Sequence, residues 1–263
     1  MFKPKKSLGQ NFLIDNNILN KITNLTEINN ADIIEIGPGT GKLTEKIIGQ
    51  IPKTLILIEK DRALTTYLKD KLKKHRNLSI FNEDILKFNL EKVIKKNSII
   101  IGNLPYNISS QILIKLIKFN KWLPNYKKLI LMFQKEVADK ILAKYDTSNY
   151  GRLTLITASR LKITNFFNVS PNSFFPVPKV KSTVLVFEPI INKNFKVKNI
   201  ENLEKVSHIF FSRKRKMINK AFNKLFKQPL DVAKKININL NLRPNELTEN
   251  EYFKITEFFE NQI

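Results

Sequence analysis

The fold of this chain is decided by one stretch, Asp32-Ile33-Ile34-Glu35-Ile36-Gly37-Pro38-Gly39-Thr40-Gly41-Lys42-Leu43-Thr44. Its apolar, β-branched first part is typical of a buried parallel strand, and an amphipathic helical pattern begins after the last glycine. Between them, glycine allows the backbone to turn tightly and to approach a ligand closely, with the N–H groups of the new helix facing that ligand. The stretch predicts a strand, a ligand-binding turn and a helix, in that order.

The same alternation of short apolar runs and longer helical patterns continues downstream. Strands are predicted at 32–36, 54–58, 78–81, 98–101 and 129–133, and helices at 43–48, 63–73, 108–119 and 135–144. Two further strands, at 153–163 and 180–187, are expected to close the sheet as a hairpin-like pair. This βαβ rhythm predicts an α/β fold with a Rossmann-like, doubly wound sheet.

The last part of the chain has a different pattern. A linker-like stretch at 189–199 is followed by helical patterns alone. We therefore predict a first domain at 1–190 and a small all-helical C-terminal domain at 191–263. A length of 263 residues is sufficient for a full core and such an appendage.

Composition narrows the classes of protein. No apolar run approaches the roughly 20 residues needed to span a bilayer, and no secretory pattern follows the basic opening residues, so we expect a cytoplasmic protein away from membranes. Without cysteine, and with only His75 and His208 as imidazoles, no metal site is expected. The net charge of +23 favours nucleic acid as the partner. Acidic membranes also attract such a charge, and part of the lysine excess could be plain solvated surface.

Acidic residues follow the next two predicted strands. Glu59 lies about twenty residues after the glycine turn, where a carboxylate can accept hydrogen bonds from both ribose hydroxyls. Asp84, with Ile85 beside it, follows the third strand and can accept from an adenine amino group. The alternative ligand is a nicotinamide dinucleotide, but its G-x-G-x-x-G spacing differs from the G-x-G-x-G spacing here. The pattern favours S-adenosylmethionine, approached by the backbone at Gly37 and Gly39.

The fourth predicted strand ends in Asn103-Leu104-Pro105-Tyr106, at the edge where doubly wound sheets keep their active sites. The amino nitrogen of adenine is a poor nucleophile because its lone pair is delocalised into the ring. The Asn103 side-chain oxygen and a main-chain carbonyl near Leu104 or Pro105 can each accept one of its N–H groups, which turns the lone pair toward a methyl donor. Tyr106 can stack on an extruded base for roughly 1–3 kcal/mol. The alternative is an ordinary turn ending a strand.

Two aromatic segments are further candidates. The amino-terminal segment 7–13 could fold over the methionine end of the cofactor. In the segment 173–182, prolines stiffen a loop that would hold Phe174 or Phe175 against the second face of the base. Either phenylalanine could equally be plain core.

The segment 212–227 predicts an amphipathic helix in the C-terminal domain. One face is apolar, and the other carries basic residues that can contact RNA phosphates: Arg213, Arg215, Lys216, Lys220 and Lys224. Such contacts carry no base sequence, so specificity would come from RNA shape and unpaired loops. A merely solvated face, or a helix lying on a membrane, are the alternatives.

These segments together resemble the KsgA/RsmA ribosomal RNA adenine dimethyltransferases over nearly the whole chain. The motifs that carry the resemblance occur in family order at 7–13, 35–44, 59, 84, 103–106, 134–138, 150–152, 174–182, 211–216 and 243–248. The resemblance implies a class I methyltransferase sheet with S-adenosylmethionine as cofactor. It implies catalysis by Asn103 with Tyr106, and cofactor contacts from Asn11, Leu13, Gly37, Glu59, Asp84 and Asn103.

The resemblance also implies a reaction: two methyl groups are added to each of two adjacent adenosines near the 3′ end of 16S rRNA. The partner would be the 30S subunit or its precursor, late in assembly, and the enzyme a monomer. Rival hypotheses are an Erm-type 23S rRNA methyltransferase, a non-catalytic assembly or transcription factor, and a DNA adenine methyltransferase. The 243–248 motif argues against the first and the intact 103–106 motif against the second, while the lack of a recognisable target-recognition domain weakens the third.

Overall fold

The structure is a computed structural model that describes residues 4–5, 8–191 and 197–262. Ser7, which opens the predicted amino-terminal motif, and residues 192–196 of the predicted linker lie outside the described residues. In the described ranges the strands are β1 Phe12–Leu13, β2 Asp32–Ile36, β3 Thr54–Glu59, β4 Leu78–Asn82, β5 Ser98–Asn103, β6 Tyr126–Gln134, β7 Leu161–Val169, β8 Phe174–Phe175 and β9 Ser182–Pro189.

Ten α-helices are present in the residues that the structure describes. They are α1 Asn16–Thr23, α2 Lys42–Ile48, α3 Arg62–Lys71, α4 Ser109–Ile117, α5 Lys135–Ile141, α6 Arg152–Arg160, α7 Ile200–Phe211, α8 Asn219–Leu225, α9 Pro229–Lys235 and α10 Glu249–Glu260. None of the helices in the part of the chain that the structure describes is long and apolar enough to cross a membrane.

Seven strands in the described ranges form one sheet in the order β4-β3-β2-β5-β6-β9-β7. The five strands from β4 to β6 are parallel, and β9 pairs antiparallel with β6. The predicted α/β, doubly wound fold is confirmed. A separate two-stranded sheet joins β1 to β8, with Phe12 opposite Phe175 and Leu13 opposite Phe174.

The central strands explain why the sequence alternates as it does. Ile99, Ile100 and Ile101 of β5 are all fully buried, because a parallel strand in the middle of this sheet is covered on both faces. The strand β7 lies at one edge of the sheet and has an exposed middle between buried Leu161 and Val169. The buried apolar runs in the sequence therefore locate the parallel strands. The carboxyl ends of all five parallel strands lie at the same edge of the sheet, and this is the edge at which a ligand can bind.

The chain divides into two compact units. The first comprises Met1–Ala138 and Lys162–Pro189, and the second comprises Asp139–Leu161 and Ile190–Ile263. The domain boundary predicted at residue 190 stays a prediction. The structure assigns one further segment, Asp139–Leu161, to the compact unit of the C-terminal helices.

The predicted strand at 153–163 is wrong, because most of this segment forms helix α6. The strand β7 begins only at Leu161. A short apolar, β-branched run does not distinguish a buried helix from a buried strand. Local bonds decide here: the Thr154 hydroxyl accepts from Gly151 N–H and donates to the Lys140 carbonyl, which fixes the start of the helix.

The single amphipathic helix predicted at 212–227 is also wrong in its first half. Helix α7 ends at Phe211, a turn follows, and α8 begins at Asn219. Ile218 is fully buried, and its N–H donates to the Leu242 carbonyl at 2.9 Å instead of continuing a helix. Packing of this residue therefore overrides the helical spacing of the basic residues.

Candidate active site

The groups predicted to form a site lie together at the carboxyl ends of the parallel strands. One cleft there is lined by residues that follow β2, β3, β4 and β5 and by the amino-terminal segment 8–13. Its lining includes every residue predicted for cofactor binding and the whole predicted Asn-Leu-Pro-Tyr motif: Asn11, Leu13, Gly37, Gly39, Glu59, Asp84, Ile85, Asn103, Leu104, Pro105 and Tyr106. Doubly wound sheets bind their ligands at this edge.

The glycine turn after β2 disfavours a Cβ at both Gly37 and Gly39. Gly37 and Gly39 adopt φ angles of 69° and 58°, which disfavour any residue with a Cβ. A Cβ at Gly37 would lie 3.4 Å from the Asn103 carbonyl oxygen, and one at Gly39 would lie 2.9 Å from the Phe12 ring. The turn thus packs directly against the Asn103 motif on one side and the amino-terminal segment on the other.

Glu59 is held by the main chain at the end of β3. Its carboxylate accepts from Gly39 N–H at 3.1 Å and from Asp61 N–H at 2.9 Å. Burial raises the pKa of Glu59, and these two N–H donors oppose that rise. An ionised carboxylate has about four acceptor positions, so this one retains acceptor capacity for a ribose hydroxyl.

Asp84 is charged and fixed two residues after β4. Its pKa is lowered by the hydrogen bond from Lys60, against some burial, and Lys60 Nζ lies 2.8 Å from its carboxylate. The Leu86 N–H donates to its other oxygen at 2.9 Å. Lys115 of α4 donates to the Leu86 carbonyl at 2.8 Å and so ties down the same loop. The sequence did not predict these roles of Lys60 and Lys115, which depend on contacts between separate segments.

Glu35 is a further carboxyl in the lining of the cleft, and the sequence analysis assigned it no role. It is 1% exposed, and burial raises its pKa to about 8. The Thr44 hydroxyl, on α2, donates to it at 2.7 Å and opposes this rise, while the charge of Glu59 adds to it. An acidic residue between two isoleucines of a buried strand was the available signal, because burying an unpaired charge is costly.

The Asn103 amide is oriented by the amino-terminal segment. Its Nδ2 donates to the Asn11 carbonyl at 3.0 Å, so the amide nitrogen is engaged and Oδ1 is the atom that can accept from a ligand. Beside it, Leu104 is buried, and the Pro105 carbonyl accepts the Ile108 N–H at 3.2 Å. Of the two main-chain acceptors considered from the sequence, this favours the carbonyl of Leu104.

Tyr106, the last residue of the same motif, is half-buried. Its hydroxyl lies 2.6 Å from the Ser182 hydroxyl at the start of β9. Burial raises the pKa of Tyr106, and the Ser182 hydrogen bond opposes this rise. A flat aromatic face beside the polar amide of Asn103 is an arrangement that can hold a planar base.

The two phenylalanines of β8 have different surroundings. Phe174 is 1% exposed and belongs to the hydrophobic core of the sheet unit, whereas Phe175 is 44% exposed. Phe174, one of the two residues considered for stacking, therefore has its ring in the core. Of the two rings, only that of Phe175 is exposed, and neither residue is part of the cleft lining.

The helical unit carries a small basic recess. It lies between the end of α7 and α8, and its lining includes four of the five residues predicted to contact RNA: Arg213, Lys216, Lys220 and Lys224. These four and Arg215 are exposed. Lys214 differs, because its Nζ donates to the Ser148 and Tyr150 carbonyls at 2.5 and 2.9 Å.

The sheet order, the glycine turn, the acidic strand ends and the oriented amide of Asn103 define a class: an S-adenosylmethionine-dependent methyltransferase. Residues suited to the ribose, the adenine and the close backbone approach are all present, so the cleft fits this cofactor. In the ranges that the structure describes, no group of three or more His, Cys, Asp or Glu side chains could hold a metal ion.

Sequence comparison identifies the family. The chain belongs to the ribosomal RNA adenine dimethylase family, whose model matches residues 1–261. A protein named ribosomal RNA small subunit methyltransferase A from Pelagibacter ubique is 44% identical, covering 98% of this chain and 97% of its own length. One of the same name from Malacoplasma penetrans is 40% identical over 97% of this chain and 91% of its own length. The predicted resemblance is confirmed.

Solved structures agree with this family. The crystal structure of a dimethyladenosine transferase from Plasmodium falciparum superposes with a TM-score of 0.83 at 31% identity, over 95% of this chain and 98% of that one. The 23S rRNA methyltransferase ErmE has a TM-score of 0.69 at 21% identity, over 95% of this chain and 99% of that one. At that identity the second likeness shows the fold alone.

Proposed function

We propose that this chain transfers methyl groups from S-adenosylmethionine to two adjacent adenosines in the 3′-terminal hairpin of 16S rRNA, forming N6,N6-dimethyladenosine. The relatives that cover nearly the whole chain carry the name of a small-subunit ribosomal RNA methyltransferase, which supports this choice of substrate. The proposal includes a cytoplasmic enzyme that acts as a monomer on the 30S subunit or its precursor.

One observation carries the proposal most directly. The Nδ2 atom of Asn103 is bound to the Asn11 carbonyl, so the amide oxygen of Asn103 is the acceptor presented to the cleft. The main chain of Asn103 also packs against the glycine turn, since its carbonyl oxygen lies 3.4 Å from the position that a Cβ on Gly37 would take. The residue that carries the polarising acceptor and the glycine turn that approaches the cofactor are thus neighbours.

The residues of this chain would act on the adenine amino group as follows. Oδ1 of Asn103 accepts one N–H and the Leu104 carbonyl accepts the other, so the nitrogen lone pair is directed away from the ring. These fixed acceptors also stabilise the positive charge that develops on the nitrogen. S-adenosylmethionine supplies the methyl group when bound. Tyr106 holds the extruded base by stacking, which offsets part of the few kcal/mol that extrusion costs.

The second face of the base is assigned to Phe175 in this proposal. The exposed ring of Phe175 supports this choice, and the core position of Phe174 argues against the other candidate. The neighbouring strand β1 holds β8 in register, so the Phe175 backbone is fixed next to the amino-terminal wall of the cleft.

The helical unit would hold the RNA by its phosphates. Arg213, Lys216, Lys220 and Lys224 line one recess, and Arg215 lies in the same turn, so several cations can meet one stretch of backbone. Lys214 is left out of this surface, since it holds the main chain at Ser148 and Tyr150.

The test uses the purified full chain with methyl-labelled S-adenosylmethionine. Unmethylated small subunits, large subunits and duplex DNA are offered side by side, and the labelled nucleoside is identified by mass spectrometry after digestion. We expect label in the small subunit alone, recovered as dimethyladenosine from two adjacent positions.

The other outcomes identify the rivals. Label in large subunits would indicate an Erm-type activity, and label in duplex DNA a DNA methyltransferase. Binding of small subunits and cofactor without any transfer would indicate a non-catalytic assembly factor. Each of these results contradicts the proposal.

A further inference from the structure

The hydrogen bond between Tyr106 and Ser182 joins two motifs that are far apart in the sequence. The two hydroxyl oxygens lie 2.6 Å apart. Tyr106 ends the turn that follows β5, whereas Ser182 begins β9, immediately after the proline-rich segment. Ser182 is 0% exposed, so its hydroxyl faces protein and not solvent. This bond therefore fixes the far end of the Tyr106 ring to a different strand of the sheet.

The main chain around Ser182 is held on both sides. Ser182 pairs with Gln134 in the antiparallel ladder between β9 and β6. The preceding carbonyl, that of Lys181, accepts the Lys135 N–H at 2.9 Å. A hydroxyl mounted on such a backbone cannot follow a moving ring, so it acts as a fixed point.

The ring of Tyr106 needs such a point because it is attached to a turn and only half-buried. Rotation about the first side-chain bond would swing the whole ring between staggered positions. A hydrogen bond at the para oxygen fixes the direction of the long axis of the ring and selects one of these positions. Burial raises the pKa of Tyr106, which keeps this hydroxyl protonated and able to donate.

We propose that Ser182 is the positioning residue of the base-binding site: by holding the Tyr106 hydroxyl, it keeps the ring in the place where an extruded adenine stacks. The inference rests on the proposed function and adds a residue to that site. Ser182 acts only through Tyr106 and touches neither RNA nor cofactor. Its loss should therefore weaken the capture of the base and leave cofactor binding unchanged.

The test is a double-mutant cycle of S182A and Y106F on unmethylated small subunits, with kcat, KM and cofactor Kd measured for each variant. One lost hydrogen bond predicts a fall in kcat of about three- to tenfold for S182A. Y106F removes the other hydroxyl of the same bond, so adding S182A to Y106F should cause no further fall. S182T retains a hydroxyl and should recover part of the lost rate.

A second measurement reports the base directly. A small-subunit RNA carrying 2-aminopurine at the target adenosine should show a smaller fluorescence change on binding to S182A than to the unchanged chain. The matched control is S98A, which removes another buried serine hydroxyl bonded to Lys95 at the start of β5. S98A should leave both the fluorescence change and kcat unchanged.

The outcomes separate this inference from the proposed function. An active unchanged chain together with a fully active S182A, or with additive losses in the double variant, overturns the role of Ser182 alone. A fall in cofactor affinity for S182A also overturns it, because the effect would then be general. An unchanged chain that methylates no subunit overturns the proposed function, and this inference with it.

Discussion

The cleft of the sheet unit and the basic recess of the helical unit bring polar groups together in opposite ways. In the cleft the functional groups are few and fixed: Glu59 is held by two main-chain N–H groups, and Asn103 by the Asn11 carbonyl. In the recess the side chains are several, long and exposed. Fixed groups suit chemistry at one atom, while exposed cations suit a polyanion whose exact position varies.

This difference predicts how each region responds to change. Removing one fixed group removes the only group in its position, so single substitutions in the cleft should have large effects on one step. Removing one exposed cation leaves its neighbours in place, so single substitutions in the recess should have small effects that depend on salt.

The largest effect is expected for Asn103→Ala. Removing a fixed group that stabilises developing charge costs about 100- to 1000-fold in kcat, and we expect a loss of that size here. The fold and most of the cofactor affinity should remain, which single-turnover methylation and calorimetry can check. Asn77→Ala is the matched control: the amide of Asn77 donates to the Pro52 carbonyl at 2.7 Å, ahead of β4. Unchanged turnover in Asn103→Ala would remove this residue from the mechanism.

Glu59→Gln should weaken S-adenosylmethionine binding by about 10- to 100-fold, because hydrogen bonds to a charged acceptor contribute roughly 1.5–3 kcal/mol. Calorimetric titration measures this change. The control is Glu188→Gln, which removes a carboxylate paired with Lys128 and Lys162 outside the cleft lining. Equal affinities for the two variants would exclude Glu59 as the ribose acceptor.

Glu35 should make the sheet unit sensitive to pH. Its folded pKa of about 8 lies above the ordinary value of 4.5 for a glutamate carboxyl, so the folded chain holds a proton that the unfolded chain releases. The stability contribution is therefore complete below about pH 4.5 and is lost as the pH rises to about 8, at up to about 1.4 kcal/mol per pH unit. Glu35→Gln should flatten this slope in denaturant unfolding measured across that window. An unchanged slope would assign the dependence to other groups.

The smallest effects are expected in the recess. Lys220→Ala and Lys224→Ala should each weaken RNA binding only severalfold and reduce the slope of log affinity against log salt by roughly 0.7–0.9. Lys234→Ala, an exposed lysine of α9 outside the recess lining, is the control and should change neither. Lys214→Ala should instead lower Tm, since Lys214 binds two carbonyls. A salt slope that is unchanged in both Lys220→Ala and Lys224→Ala would contradict the proposal that this recess binds RNA.

The sequence was sufficient for the cleft because its signals are local. A buried run followed by a glycine turn, and acidic residues directly after strands, predict their own positions once the strands are parallel. Glu59 and Asn103 are the last residues of their strands, Asp84 follows its strand by two residues, and all three line one cleft. Sheet connectivity alone brings such residues together.

What the sequence missed depended on contacts between distant segments. Helix α6 is an exception, because the bonds of Thr154 to Gly151 and Lys140 are local, and its short apolar run fits a buried helix and a buried strand equally well. The choice between Phe174 and Phe175 depends on which alternate side of β8 faces the core, and no periodicity extends over two residues. The bonds of Lys60, Lys115 and Ser182 join separate strands and loops, so the spacing of residues along the chain cannot predict them.

The pairing of β1 with β8 has a consequence for how the protein is made. Phe12 and Phe175 are partners in the ladder between β1 and β8. This pair can form only after the ribosome has synthesised β8, when most of the sheet unit has already been made. Contacts between such distant partners form late, because a long loop must close first. A nascent chain is therefore expected to complete the wall beside Asn103 late, and a chain interrupted before β8 would lack both this wall and β9, the strand between β6 and β7 in the sheet.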